Sequence, residues 1–211
     1  NKRDPENSLT SRQALTTPAF YLLTLANLLN VFAAAGLNLH LFPYLTDSGI
    51  SENMAVTIIT VWFFCGVVGS VFAGFIADRL NSRLVTMLCF AVMAISVLLL
   101  PAAQSISLAF IFVIVQGLSQ GGMLTMRLLW PDYFGRKNLG AIRGLTHPPQ
   151  NLAIALGPLI GGVMFDLTGG YTWAFLAFAV GLFGATACVW MAKPPIVVAP
   201  MEPNQIDKGH D

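Results

Sequence analysis

Between residues 18 and 192 the chain alternates long apolar runs with short polar breaks. Six runs, at 18–42, 54–77, 84–100, 107–129, 145–165 and 171–192, approach the ~20 residues that cross a bilayer as a helix. None alternates apolar and polar positions, as the ~10-residue strands of a membrane barrel do, so each run predicts a helix. Thr17-Pro18 supplies a cap and a first-turn proline for the first run. Pro101 marks the exit of the short third run, and Pro194-Pro195 stops the sixth. The expected organisation is a polar linker at 1–17, a six-helix unit at 18–193 and a polar tail at 194–211.

Composition narrows the class. Hydrophobic residues make up 55% of the chain and charged residues 10%, against about 25% charge in soluble domains. The pattern is therefore that of an all-α integral membrane protein embedded in the lipid bilayer. A net charge of +1 leaves no basic field to attract nucleic acid. Cys65, Cys89 and Cys188 lie inside apolar runs without metal-ligand spacing and read as small hydrophobes. The opening Asn1-Lys-Arg-Asp-Pro-Glu-Asn is neither a signal peptide nor a targeting helix and reads as an interior linker of a longer chain.

The basic residues separate completely. With six spans, Lys2, Arg3, Arg12, Arg79, Arg83, Arg136, Lys137, Arg143, Lys193 and Lys208 share one face, with Arg127 close to it; the other face holds Asp47, Glu52 and Asp166. Positive residues stay on the cytoplasmic side. The expectation is a multi-pass plasma (inner) membrane protein with both termini of this stretch cytoplasmic.

Polar side chains inside the spans are the candidates for chemistry, because each is costly against lipid. In the first span Asn27, Asn30 and Asn38 fall within about 80° on a helix turning 100° per residue. In the fourth, Gln116, Gln120 and Arg127 fall within about 40°. In the fifth, Arg143, His147, Gln150 and Asn151 recur on one face, with Pro148-Pro149 interrupting the backbone ladder beside them. Two readings stand for each stripe: the wall of a solute pathway, or hydrogen bonds between helices and an Arg127 that snorkels or pairs with Asp132. His147 reads either as a proton-coupling group or as part of a polar pathway mouth; His40 points away from the asparagine stripe and reads as a packed histidine. Small pairs at Ser70/Gly74, Gly117/Gly121 and Gly157/Gly161 read as helix-packing positions. No hydrolase, zincin, phosphate-loop or Cys-x-x-Cys pattern occurs, so no catalytic, metal-binding or cofactor-binding residue is expected.

One charged turn separates the second and third runs: Gly74-Phe-Ile-Ala-Asp78-Arg79-Leu-Asn81-Ser-Arg83. It resembles the signature loop of the major facilitator superfamily, Gly-x-x-x-Asp-Arg-x-Gly-Arg/Lys-Arg/Lys, with Asn81 and Ser82 at the family's glycine and first basic position. Asparagine tolerates the left-handed backbone best after glycine. Two further blocks, 132–144 and 157–171, resemble the loop between helices ten and eleven, and helix eleven with its exit turn. The resemblance implies the C-terminal six-helix half of a twelve-helix transporter, built as two inverted three-helix repeats at 18–101 and 107–192. It implies a missing N-terminal half as partner, alternating access, and a latch of Gly74, Asp78, Arg79 and Arg83 at the cytoplasmic face. The loop and exit-turn blocks look most like the monocarboxylate and oxalate–formate branch, which implies a small organic anion as solute. Two alternatives stand beside this: a half-transporter that pairs with a second copy, and a non-transporting receptor or assembly subunit that kept the fold.

Overall fold

A computed structural model describes residues 8–102 and 105–195. The expected positions outside them, among them Lys2, Arg3, Lys208 and the tail from 196, lie outside the described residues. The helices are α1 (Ser11–Leu15), α2 (Pro18–Asp47), α3 (Glu52–Arg79), α4 (Ser82–Leu99), α5 (Ile106–Ser119), α6 (Gly121–Phe134), α7 (Leu139–Gly144), α8 (His147–Thr168) and α9 (Thr172–Met191). A single 3-10 turn, Leu100–Ala102, ends the third span. Among the described residues there is no strand. Six segments of the described residues are long and apolar enough to cross a membrane: Pro18–Asp47, Glu52–Arg79, Ser82–Ala102, Ile106–Phe134, Leu139–Thr168 and Thr172–Met191.

Local chemistry sets the ends. Thr17 accepts a hydrogen bond from the Phe20 amide, with Pro18 in the first turn, as a helix start requires. Ser105 caps α5 through the Leu108 amide. Gly169, at φ +70°, ends α8 in the left-handed conformation that side chains resist. Asn81 differs from the expectation: its backbone is extended at φ −73°, and its side chain accepts from the Arg83 amide. The residue standing at the family's glycine position is a helix N-cap, not a left-handed turn.

Two spans are broken, the fourth where continuous helix was expected and the fifth just ahead of the interruption expected at Pro148-Pro149. The fourth divides at Gln120, whose amide donates to Gly117 O at 2.9 Å, while the Met123 amide donates to Gln120 O at 2.9 Å. These are three-residue bonds of a tightened turn, placed before two glycines that favour helix poorly. The fifth divides at residues 145–146, and Pro148-Pro149 lie in the first turn of α8. Prolines are tolerated there because first-turn amides lack helical partners anyway, so they begin a helix rather than interrupt one.

Packing follows a permutation. The first span (α2) lies against the fifth (α8) and the sixth (α9), while the fourth (α5–α6) lies against the second (α3) and the third (α4); α4 and α9 pack on each other. Exchanging spans one, two and three with four, five and six leaves this set of neighbours unchanged. An odd number of crossings makes the two triplets run in opposite directions, so the chain is a pair of inverted three-helix repeats.

Lipid offers helices no hydrophobic reason to associate, so close backbone contact carries the association. A Cβ on Gly121 would overlap Gly69 O and Ala73 Cβ of α3, and a Cβ on Gly69 would overlap the Leu118 backbone. Gly117 meets Trp62 O and Gly66 N of the same helix. On the other repeat, Gly157 of α8 meets Phe32 O and Gly36 N of α2, and Gly161 meets the His40 ring. The expected pairs Gly117/Gly121 and Gly157/Gly161 are thus at contacts. Gly74 has ordinary space around it, and Ser70 bonds back to Gly66 O of its own helix at 2.8 Å.

At the basic face the segment before α2 is docked. The Leu9 amide donates to Phe134 O at 2.9 Å, Asn138 Nδ2 donates to Leu9 O at 3.0 Å, and the Lys137 amide donates to Ser8 Oγ at 3.3 Å. Leu9 and Ala14 are buried in the main core.

Gly121→Val places carbon into the α3 backbone and should destabilise the fold by about 1–3 kcal/mol, as overpacking does. Gly140→Ala, at a helical glycine with open space around it, should be neutral or stabilise by up to ~1 kcal/mol. Thermal unfolding of the purified complete protein in detergent reads both; equal behaviour would remove the close-contact account.

Candidate solute pathway and gate

The polar residues of the spans separate into satisfied and unsatisfied groups. Asn27 Nδ2 donates to Gln150 Oε1 at 3.1 Å, joining the first and fifth spans near the basic face. Gln116, 1% exposed, accepts from Ser96 Oγ at 2.5 Å and joins the fourth span to the third. Asn38 is exposed and donates to Ala34 O of its own helix at 2.8 Å. Gln120 leans over Gly66 of α3. Asn30 is 2% exposed, and its Nδ2 has no hydrogen-bond partner among the described residues. Arg127, His147 and Asn151 are exposed, and Arg127 donates no hydrogen bond among the described residues.

Asn27 and Gln150, expected in separate stripes, are brought together across two spans. Gln116, Gln120 and Arg127 are not: the turn at Gln120 changes the azimuth between α5 and α6, so Gln116 faces inward and Arg127 outward. Asn30 faces the interior while Asn38 faces out.

The latch residues also part company. Asp78, in the last turn of α3, is exposed and forms no ion pair among the described residues. The Arg79 guanidinium lies 4.6 Å from the centroid of the Phe75 ring, a cation–π contact one turn back. Arg83 reaches the end of α9, donating from Nε to Val189 O at 3.0 Å and from its terminal nitrogen to Trp190 O. Tyr133 adds a bond from its hydroxyl to Ala192 O at 2.9 Å. The last carbonyls of a helix lack internal donors and carry its negative dipole end, so a guanidinium there satisfies both needs.

The sequence profile of the Major Facilitator Superfamily matches residues 23–208. The chain belongs to that superfamily. Among relatives, it is 24% identical over 179 residues to monocarboxylate transporter 12 of Rattus norvegicus, covering 82% of this chain and 37% of the relative. It is 28% identical over 156 residues to monocarboxylate transporter 2 of Homo sapiens, covering 72% and 32%. It is 28% identical over 159 residues to the purine ribonucleoside efflux pump NepI of Salmonella enteritidis PT4, covering 72% and 38%. The chain spans about two fifths of the length of the first curated relatives it matches. Family and composition together make it a multi-pass membrane protein, and the relatives are transporters, not enzymes.

Two polar positions of this superfamily member carried little signal in the sequence. His40 is buried, and its Nε2 lies 2.9 Å from Pro158 O. A carbonyl only accepts, so Nε2 carries the proton and the ring pins α2 to the proline turn of α8. Its centroid is 5.8 Å from that of Tyr171, whose phenol is pushed up by burial and then by the Asp47 carboxylate. Trp62 is buried with its indole N–H unpartnered among the described residues. An isolated Trp in an apolar run looks like core, so spacing alone did not single it out.

Arg83→Ala should cost about 1.5–3 kcal/mol, the scale of charged hydrogen bonds, and Arg83→Lys should recover less than half, because an ammonium lacks the planar fork. Asp78→Asn should change unfolding by less than about 0.5 kcal/mol. A double-mutant cycle on Asn27 and Gln150 should give a coupling of about 0.6 kcal/mol and no more than about 1.7. Thermal unfolding measures all of these; zero coupling would show that the amide pair holds nothing.

Proposed function

We propose that this chain is the C-terminal six-helix half of a secondary transporter that carries a small organic anion by alternating access. The observation that carries the reading is Arg127, an exposed guanidinium within the membrane-length segment Ile106–Phe134. Lipid contact costs a guanidinium ~2.5–3.5 kcal/mol at a helix centre and less toward the basic face where Arg127 lies, and no hydrogen bond among the described residues offsets it. Water in a pathway, or a carboxylate crossing it, does so directly, since guanidinium and carboxylate bond bidentately.

Asn30 supports the same reading. A buried amide donor without a partner costs ~1–3 kcal/mol, and an acceptor on a passing solute removes that cost. Asn38, Gln120, His147 and Asn151 line the remaining polar surface of the pathway, and Asn27, Gln150 and Gln116 brace it through the bonds described above. Two of the relatives are named for monocarboxylates and one for a purine ribonucleoside; Arg127 favours the charged class.

The second half seats on the exposed apolar faces of α3 and α8, where Phe64, Val67, Val71, Phe75, Leu152 and Leu159 are uncovered. In the gate, Asp78 and Arg79 are the groups left to meet that half as it rocks, and Gly74 lets the end of α3 come close. Arg83 holds the frame against which they move. The protein lies in the plasma membrane with both ends of this stretch in the cytoplasm, following the basic face.

Uptake of radiolabelled organic acids by vesicles holding the complete protein, with and without a pH gradient, tests the reading. Arg127→Gln should lower uptake efficiency for an anion about tenfold or more, the loss of one charged hydrogen bond; unchanged uptake retires Arg127 as a solute contact. Asp78→Asn should slow transport several-fold while membrane insertion stays normal, and wild-type rates would remove the gate role.

A further inference from the structure

A cavity of about 360 Å³ lies between α4 and α5, at their ends away from the basic face. Its walls include Val92, Ile95, Leu99, Leu108, Ile111 and Phe112, all within the third and fourth membrane-length segments. Five of these six, Phe112 excepted, are also exposed, so the cavity is continuous with the outer surface of the bundle. Among the described residues its polar wall group is Ser96, whose hydroxyl is already engaged with Gln116 Oε1 at 2.5 Å.

This lining excludes the solute proposed above. An anion or a nucleoside would leave several groups unpaired there, at ~1–3 kcal/mol each. Water requires two to four polar partners, which the walls do not offer. An empty space forfeits the dispersion contacts of every wall atom.

Among the described residues Phe112 is the one aromatic in the lining.

We propose that an acyl chain of a membrane lipid fills this cavity and completes the contact between the third and fourth spans. The gain is packing, since the chain leaves hydrocarbon to enter hydrocarbon. The site therefore selects by shape and holds its occupant a few-fold more strongly than the surrounding surface. The inference rests on the membrane setting and the fold, and stands apart from the identity of the solute.

The complete protein in phosphatidylcholine nanodiscs containing a diazirine-acyl phosphatidylcholine provides the test, with labelled peptides quantified by mass spectrometry. Labelling of residues 92–99 and 108–115 should exceed, by about threefold or more, that of exposed Leu176 and Val180 at comparable depth on α9. Ile111→Trp should abolish the excess and leave the α9 signal unchanged; Leu108→Phe repeats the test should the first variant fold poorly. Equal labelling on both faces, or an excess that survives both filled variants, overturns the proposal. A diazirine sterol that labels the cavity while the acyl probe stays uniform overturns it in favour of a ring-shaped occupant.

Discussion

Contact between bare backbones holds this bundle together. In water, helices associate because their apolar faces leave the solvent; in lipid that gain is absent, and only closer packing than lipid itself provides can win. The chain reaches that closeness twice. Gly66, Gly69, Gly117 and Gly121 bring α3 against α5 and α6, and Gly36, Gly157 and Gly161 bring α2 against α8. Each crossing lies on the inverted repeat's image of the other. Remove the close approach and neither the Asn27–Gln150 amide pair nor the His40 bond to Pro158 can span the gap.

The same symmetry explains where the chemistry sits. Spans two and five each give one side to a glycine crossing and leave a broad apolar face uncovered, whereas α4 and α9 support each other behind them. Polar groups that bond between spans, Asn27 with Gln150 and Gln116 with Ser96, brace the two repeats. Asn30 and Arg127, which make no such bond among the described residues, belong to the first and fourth spans, which the permutation exchanges.

Much of this was legible in the sequence, and the failures have specific causes. Six apolar runs and a one-sided distribution of arginine and lysine were enough for the spans, because span length and the cost of charge in lipid are one-dimensional constraints. The glycine pairs at 117/121 and 157/161 were also readable. The alignment of Gln116 with Arg127 was not, since counting 100° per residue presumes an unbroken ladder and Gln120–Gly122 breaks it. Asn81 was read for its tolerance of left-handed backbone when its oxygen was the useful part. Arg83 was grouped with Asp78 in the latch that the family resemblance implied. The α9 carbonyls, 106 residues away, offered it a helix terminus needing both donors and positive charge.

The docking of Ser8 and Leu9 onto residues 134–138 has a mechanical meaning. Gly135, at φ +80°, is pressed so closely by Ser8 that a side chain there would collide with it. A pull on Ser8 and Leu9 therefore meets three hydrogen bonds to residues 134–138 before it reaches the first span.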